Sequence, residues 1–319
     1  MYRPWLNKIE QNKRILEIGP LCNPNIKKNG TDVFYADIRS TEDVKEFYKN
    51  DKSVAIENIV DIDFVIEGGY SESLKNIRKF DYVIATHVIE HIPQLILFFM
   101  DISNILNYQG KLCLTIPDKR YCFDHFRQPT SFAECYDIYT KEVNNLPFRV
   151  LDFFISAVKN DPVYWWNETS NFDDLPQDKD NRFDSAKRMY LRALEGEYLD
   201  VHFSVFTPES FLLLLYNMLI FNLLPFRCIE FYKTEINTLE FNCVLEYDPD
   251  ILNESSKERE NIIKLLNDNC DLYNSNMVIE SLKADLNAVL SSKSWKITAP
   301  LRKVKKTVLR IWKKSRCFA

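Results

Sequence analysis

Residues 13–37 read KRILEIGPLCNPNIKKNGTDVFYAD, and this stretch decides the fold. Its first apolar run, at 15–18, is typical of a short strand buried on both faces of a parallel sheet. The run ends at Gly19, where the missing side chain lets the backbone come close to a ligand. A second apolar run ends on Asp37, which is placed to accept hydrogen bonds from ribose hydroxyls. This order predicts a nucleotide site at the carboxyl edge of an open α/β sheet.

The composition describes a globular chain with ample core: 319 residues, 46% hydrophobic and 13% aromatic. The eight cysteines are scattered without a C-x-x-C pair, so we expect no zinc site built from thiols. With no leader pattern at the start, they indicate a reducing, cytoplasmic location. The longest apolar stretch, 211–226, is too short for a membrane span of ~20 residues, and we interpret it as a buried helix.

The formal net charge of −5 hides a strong asymmetry along the chain. Residues 293–319 contain ten Lys and Arg and no acidic residue, so the rest carries −15, the difference between −5 and +10. This basic arm also contains Trp295 and Trp312, a pattern typical of an amphipathic helix lying on an anionic membrane. We expect peripheral attachment to the inner face of the cell membrane through 293–319. The acidic body argues against a nucleic-acid partner.

Strand and helix patterns alternate after residue 37, which predicts a parallel, doubly wound sheet. Further strands are predicted at 58–64, 82–85, 111–117, 226–232 and 239–247. Helices are predicted after Ser40, at 71–79, at 92–106 and after Thr207. The last two strands form an antiparallel finish to the sheet.

Residues with useful chemistry follow the strand ends in a fixed order. They are Glu17 and Gly19, then Asp37, then Asp63 and Phe64, then Thr86, His87, Glu90 and His91. Over about residues 12–247 this order resembles class I S-adenosylmethionine-dependent methyltransferases. The strings EIGP, HVIEHIP, IPDKRYCFDHFR and VHFSVFTPESF resemble a bacterial branch associated with surface-polysaccharide (O-antigen or capsule) biosynthesis. The string SKSWKITAPLR resembles the end of many bacterial glycan-assembly enzymes.

The resemblance implies a Rossmann-like, doubly wound, mostly parallel seven-stranded α/β sheet. We assign residues 1–250 to a methyltransferase domain, with an insertion at about 118–200 that covers the carboxyl edge. Residues 251–292 are helical, with Leu and Ile at roughly heptad intervals, which predicts self-association through 253–292 as a short coiled coil or a docking helix. The basic amphipathic tail follows at 293–319.

The resemblance also implies S-adenosyl-L-methionine as the cofactor. The implied binding residues are Glu17, Gly19, Pro20, Asp37, Ile38, Asp63, Phe64, Thr86 and His87. The acid and glycine after strand one hold the methionine part, and the acid after strand two takes the ribose hydroxyls. The Asp-aromatic pair of strand three meets the adenine, and the tip of strand four faces the sulfonium. Pro20 replaces the usual second glycine, so how the cofactor carboxylate is held stays open.

A sulfonium donor is already activated, so the protein must mainly align a nucleophile and remove the proton of a hydroxyl acceptor. Histidine is well tuned for this near neutral pH. The candidate bases are His91, His202 and His87. Glu90 and His91 also fit a simple helix start, with Glu90 favoured by the helix dipole. We predict a site without metal; the alternative is a divalent metal ion held by His87, Glu90, His91 and His202.

The expected function is O-methylation of a sugar in a cell-surface glycan or its lipid-linked precursor. The alternatives are an RNA or small-molecule O-methyltransferase and a non-catalytic S-adenosylmethionine-binding scaffold in glycan assembly. Two clusters have both a functional and a structural interpretation. Residues 118–121, DKRY, bind an anionic acceptor or close the fifth strand with solvated charges. The YWW cluster at 164–166 stacks on sugar rings or belongs to the core.

Overall fold

The computed structural model describes residues 3–10, 12–29, 32–52, 54–167, 174, 181–253 and 255–269. The predicted heptad positions beyond 269 and the basic arm at 293–319 lie outside the described residues. The strands are β1 (Ile15–Ile18), β2 (Val33–Asp37), β3 (Phe64–Val65), β4 (Phe80–Thr86), β5 (Leu106–Pro117), β6 (Phe226–Tyr232) and β7 (Glu240–Tyr247). The helices are α1 (Thr41–Tyr48), α2 (Tyr70–Ser73), α3 (Leu95–Ile105), α4 (Phe132–Thr140), α5 (Pro147–Ser156), α6 (Pro162–Asn167), α7 (Arg182–Leu194), α8 (Pro208–Ile220) and α9 (Ser255–Asn269).

Within the described residues the strands form one seven-stranded sheet in the order β3-β2-β1-β4-β5-β7-β6. The first five strands pair in parallel, and β7 pairs antiparallel with β5 and β6. The predicted fold class, a mostly parallel seven-stranded α/β sheet, is confirmed. The strand order reverses between β1 and β4, and open α/β sheets bind ligands outside the carboxyl ends of the strands at such a reversal.

The centre of the sheet is built from the apolar runs that the sequence indicates. All four side chains of β1 are buried, as expected for a strand covered on both faces. Trp5, which precedes β1, packs in the core, and its Nε1 donates a hydrogen bond to Asn242 Oδ1 at 3.0 Å. This contact fixes the N-terminal segment against β7 and brings Arg3 to the carboxyl edge of the sheet.

Strand β3 differs most from its prediction, because it spans Phe64–Val65 rather than 58–64. It pairs with the end of β2. Asp63 precedes it, and the Asp63 carboxylate accepts a hydrogen bond from the Tyr35 N–H at 2.7 Å. Asp63 therefore directly precedes β3, whose two residues pair with Ala36 and Asp37 at the end of β2. The helix predicted at 71–79 is also shorter, a single turn at Tyr70–Ser73.

The insertion at 118–200 has a small core of its own, in which α5 packs against α7. Its buried residues are Ile138, Leu146, Val150, Ala193, Val201 and Phe203. At its end, the N–H groups of Phe203 and Ser204 donate to Glu90 O at 2.7 and 3.0 Å. These bonds tie the insertion to the turn after β4 and place His202 beside Glu90.

The apolar stretch that starts at Phe211 lies largely in α8, which is a buried helix as predicted. Thr207 caps it, because the Thr207 hydroxyl accepts a hydrogen bond from Ser210 N at 3.1 Å. Pro208 occupies the first turn, where its missing N–H costs nothing. Across the described ranges, no helix combines the length and the apolarity needed to cross a membrane.

Helix α9 packs on the body of the protein rather than standing apart. Glu258 accepts a hydrogen bond from the N–H of Cys228 on the edge strand β6, and Asn261 donates one to the Cys228 carbonyl. Two of the predicted heptad positions are buried here, Ile262 and Leu266. α9 therefore belongs to the compact unit that ends at Asn269. The assignment of a methyltransferase domain to residues 1–250 stays a prediction. Self-association through 253–292 stays a prediction.

Candidate functional site

A cavity of about 470 Å³ opens at the carboxyl ends of β1, β2 and β4, where the strand order reverses. This volume is in the range of small-molecule sites. Seven predicted cofactor residues line it: Glu17, Gly19, Pro20, Asp37, Ile38, Thr86 and His87. His91 lines it as well, whereas His202 lies behind it in a buried position. That these residues bind a cofactor stays a prediction.

The turn after β1 depends on Gly19. Its φ is +62°, a left-handed conformation that glycine adopts without strain. A Cβ atom there would lie 3.3 Å from Val88 Cγ2, so a side chain would also crowd the loop after β4. The Gly19 N–H donates to Ala36 O at 2.9 Å and ties the turn to β2. The bare backbone bend predicted from the sequence is present at the cavity wall.

Glu17 is 2% exposed, and its carboxylate is occupied by the loop that follows Gly19. Oε1 accepts hydrogen bonds from the N–H and the side-chain amide of Asn25, both at 2.8 Å, and Oε2 accepts one from Ile26 N at 3.1 Å. Burial raises the pKa of Glu17, and these donors offset part of that rise. Glu17 therefore holds the loop, so the structure does not support its predicted contact with the amino end of the cofactor.

Asp37 ends β2 at the cavity wall. Its Oδ1 accepts a hydrogen bond from Arg39 N at 3.0 Å, which orients the carboxylate. Burial raises the pKa of Asp37, and the Arg39 N–H and guanidinium counteract this in part. An oriented, partly desolvated carboxylate at this point is suited to accept hydrogen bonds from a diol.

The contacts of Asp63 and Phe64 do not favour the predicted meeting with adenine, which stays a prediction. Asp63 lies at the amino end of β3, where its carboxylate also accepts from Lys28 Nζ at 2.6 Å. The Phe64 ring stacks on Phe34, with 5.5 Å between the ring centroids. Neither residue lines the cavity. The prediction placed β3 at 58–64, so it made Asp63 and Phe64 the end of the strand, whereas β3 starts at Phe64.

Two imidazoles face the cavity after β4. His87 has a φ of +52°, which is strained for a residue with a side chain, and its Nε2 lies 2.7 Å from Glu240 Oε2. His91 Nδ1 lies 2.9 Å from Asp200 Oδ1. Burial alone would lower the pKa of His91, but the hydrogen bond to Asp200 and the charge of Glu90 raise it. Tyr48 OH donates to the other Asp200 oxygen at 3.2 Å.

The third candidate base, His202, lies behind this wall. Its Nδ1 is 2.5 Å from Asp124 Oδ2, and Arg127 Nη1 donates to the other Asp124 oxygen at 2.7 Å. Burial alone would raise the pKa of Asp124, but His202 and Arg127 together lower it. The His202 ring meets the His91 ring edge-on, with 4.8 Å between centroids.

Glu90 lies between these imidazoles. It belongs to a single 3₁₀ turn, Ile89–His91, and α3 begins only at Leu95, so the helix-start interpretation of Glu90 and His91 is wrong. Glu90 is 1% exposed, and neither carboxylate oxygen accepts a hydrogen bond from any described residue. Glu90 Oε1 lies 3.5 Å from His87 Nδ1 and 3.9 Å from His202 Nε2.

The DKRY segment at 118–121 and the YWW cluster at 164–166 both make contacts within the fold. Asp118 is fully buried and accepts hydrogen bonds from Arg120 and from Thr234 Oγ1, and Lys119 Nζ donates to His125 O at 2.6 Å. Trp165 is buried and stacks on His125, and Trp166 stacks on Tyr121 at 3.9 Å. Trp165 therefore belongs to the core, whereas Tyr164 is exposed, and Asp118 is buried and paired rather than a solvated charge. Acceptor binding by either cluster stays a prediction.

Several residues at the site have no clear sequence signal. They are Arg3, Asn25, Asp124, Asp200 and Glu240. Asp200 and His202 stand two residues apart, and Asp124 lies in the string that carries the resemblance, so those positions offered a weak hint. Arg3 and Glu240 come from the two ends of the body, and only the sheet brings them together.

Comparisons with protein-family models and with curated proteins found no match. Among solved structures, the chain is similar to a SAM-dependent methyltransferase from Methanosarcina mazei, with 14% identity and a TM-score of 0.37, over 78% of this chain and 98% of that one. It is also similar to a S-adenosylmethionine-dependent methyltransferase from Clostridium acetobutylicum, with 9% identity and a TM-score of 0.32, over 76% and 86%. A third is the trans-methyltransferase CalH in complex with SAH, with 14% identity and a TM-score of 0.34, over 77% of this chain and 55% of that one. At these values the likeness assigns neither a family nor a reaction to this chain.

Proposed function

We propose that this chain is a methyltransferase that transfers the methyl group of S-adenosylmethionine to a hydroxyl oxygen. The observation that carries the proposal is the cavity at the reversal of strand order. It brings the bare Gly19 turn and the Asp37 carboxylate together with the imidazoles of His87 and His91. One cavity can thus hold a nucleoside donor beside a side chain that accepts a proton.

The residues of the cavity fit an adenosyl group that carries an amino-acid tail. Asp37 suits the ribose hydroxyls, and the Gly19 bend lets the tail pass close to the backbone. Arg3 supplies a guanidinium at the wall, held by Asn25 Oδ1 and 3.6 Å from Glu240 Oε1. A guanidinium is a strong partner for a carboxylate. We infer that Arg3 binds the cofactor carboxylate in place of the second glycine that Pro20 replaces.

In the proposed reaction the bond from sulfur to methyl breaks as the bond from oxygen to methyl forms, and the hydroxyl proton leaves. The protein must align the three reacting atoms and receive that proton. Asp200 Oδ1 lies 2.9 Å from Nδ1 of His91, and Tyr48 OH donates to the other Asp200 oxygen. We infer that this carboxylate favours a proton on Nδ1, so that the Nε2 lone pair of His91 receives the hydroxyl proton.

For the acceptor we propose a sugar hydroxyl of a surface glycan or of its lipid-linked precursor. The sequence strings that resemble polysaccharide-associated methyltransferases support this choice.

The basic arm at 293–319 supports a peripheral position on an anionic membrane. Sedimentation with anionic vesicles tests the arm: the full chain is expected to bind, and deletion of 293–319 is expected to release it. Equal binding of both chains would overturn the membrane proposal.

Calorimetric titration with S-adenosylmethionine tests the cofactor proposal. The wild-type chain is expected to bind it, and Asp37→Asn to bind it about 30-fold more weakly, the effect of losing roughly 2 kcal/mol of charge-assisted hydrogen bonding. Asp137→Asn is the matched control, because Asp137 is an exposed acid on α4 that pairs with Lys141. Absence of binding by the wild-type chain would overturn the proposal.

Transfer itself is tested with methyl-labelled S-adenosylmethionine and lipid-linked glycan from the source cell. Label on a glycan oxygen is the expected result. Cofactor binding without transfer to glycan, but with transfer to RNA or a small phenol, would replace the proposed acceptor class. Binding with no transfer to any of these would favour the scaffold alternative.

A further inference from the structure

The Glu90 carboxylate is the starting point, because it is buried and no described residue donates a hydrogen bond to it. Its side chain is 1% exposed, and both oxygens lack a donor among the residues that the structure describes. Burying a carboxylate in this way is costly unless a positive group completes it. Two ring nitrogens lie near Oε1: His87 Nδ1 at 3.5 Å and His202 Nε2 at 3.9 Å.

Two of the imidazoles near Glu90 are oriented by carboxylates of their own. Asp124 faces Nδ1 of His202 at 2.5 Å, and Asp200 faces Nδ1 of His91 at 2.9 Å. A carboxylate at Nδ1 fixes the proton there and leaves the lone pair on Nε2. Metal-binding histidines in proteins are held in this way by outer carboxylates.

The three side chains also lie close enough for one ion. One ligand atom from each of Glu90, His91 and His202 lies within 4.8 Å of the others. Ligand atoms about 2.0–2.2 Å from a common ion lie roughly 3 to 4 Å apart, so a closure of about 1 Å brings the three together. His87 completes the surroundings but is held by Glu240 at its Nε2, so we leave it outside the ligand set.

We propose that Glu90, His91 and His202 form a binding site for one divalent transition-metal ion next to the cofactor cavity. Two imidazoles and one carboxylate favour Zn²⁺ most; Mn²⁺ is expected to bind more weakly, and Mg²⁺, which prefers oxygen ligands, more weakly still. Three protein ligands leave a position open for an outside oxygen, and a bound cation there makes a hydroxyl more acidic. With the ion bound, His91 is a ligand rather than the base, and activation of the hydroxyl passes to the ion. That role in methyl transfer rests on the proposed function, whereas metal binding itself does not.

Calorimetric titration of the metal-stripped full chain with ZnCl₂, MnCl₂ and MgCl₂ tests the site. We expect one ion of Zn²⁺ or Mn²⁺ per chain, weaker binding of Mg²⁺, and at least tenfold weaker Zn²⁺ binding by Glu90→Gln. His125→Gln is the matched control and is expected to bind like the wild type, because His125 lies in another cluster and its Nδ1 contacts Arg120 O. Zn²⁺ is expected to raise the melting temperature of the wild type and of His125→Gln, but not that of Glu90→Gln.

Asp200→Asn gives a second variant at a less buried position, 30% exposed, in case Glu90→Gln fails to fold. It removes the orienting charge and is expected to weaken Zn²⁺ binding roughly tenfold. The proposal is overturned if the wild type binds neither Zn²⁺ nor Mn²⁺ at about 1 mM, or if Glu90→Gln and Asp200→Asn both bind as tightly as the wild type. Metal binding without S-adenosylmethionine binding would refute the proposed function alone, and the reverse would refute the metal site alone.

Discussion

Two buried glutamates near the cavity show opposite states of the same side chain. Glu17, on β1, is 2% exposed and receives three hydrogen bonds from the loop at Asn25 and Ile26. Glu90, in the turn after β4, is 1% exposed, and its carboxylate receives none from the described residues. Equal burial therefore goes with very different hydrogen bonding.

The difference separates a carboxylate that stabilises the fold from one that is available for chemistry. A buried acceptor with all its donors rigidifies its surroundings, as Glu17 does for the loop that lines the cavity. A buried acceptor without donors destabilises the folded state unless a ligand completes it. Functional sites are where folded proteins retain such groups.

The largest expected effect is the loss of stability caused by replacing Glu17. Glu17→Gln should lower the free energy of unfolding by about 3 kcal/mol, because the amide keeps one acceptor oxygen and turns an NH₂ toward N–H donors. Urea denaturation at neutral pH measures this. A change below about 1 kcal/mol would mean that the loop does not depend on Glu17.

Gly19 tests whether the cavity wall is shaped for a ligand. Gly19→Ala should cost about 1 to 2 kcal/mol of stability, because alanine is strained at a φ of +62°. It should also weaken S-adenosylmethionine binding. Gly68→Ala is the control, since Gly68 has a φ of +81° with nothing within 4 Å of an added Cβ. The control should lose stability but keep its cofactor affinity; equal losses of affinity would remove the ligand interpretation of the turn.

Glu90 should respond in the opposite direction to Glu17. In metal-free protein, Glu90→Gln should raise the free energy of unfolding by about 1 kcal/mol, because a neutral amide costs less to bury than an unpartnered carboxylate. Urea denaturation in the presence of a chelator, beside Glu17→Gln, measures the contrast. A loss as large as that of Glu17→Gln would show that the two glutamates have the same structural role.

The smallest expected effect is the dependence of S-adenosylmethionine affinity on pH. The pKa of Asp37 is raised by burial, so the carboxylate protonates at a higher pH than an ordinary aspartate. Its charged form accepts the ribose hydrogen bonds, so S-adenosylmethionine affinity should be full at neutral pH and should fall as the pH drops toward that raised pKa. Calorimetric titrations between neutral and mildly acidic pH measure the fall. Asp37→Asn should bind weakly with little dependence on pH over this range, and a parallel fall in that variant would assign the effect to another group.

Sequence patterns predicted the sheet well but misplaced one strand that matters for the site. The predicted runs at 15–18 and 226–232 coincide with β1 and β6. β3 has only two residues, Phe64 and Val65, too few to show a period. The string Asp61-Ile-Asp-Phe64 looked like a strand end, and this moved Asp63 to the wrong end of the strand.

The sequence by itself determined the alternation of strands and helices along the chain and the bare turn at Gly19. It also determined the acid at the end of β2 and the histidines near β4. These features follow from residue periodicity and backbone preference, which act over a few neighbouring residues. Tertiary structure alone decided that Glu17 is satisfied, that Glu90 is not, and that Asp124 orients His202 across a separation of 78 residues. Whether a buried polar group finds a hydrogen-bond partner depends on which distant groups the fold brings within about 3 Å of it. Local sequence patterns do not predict those groups.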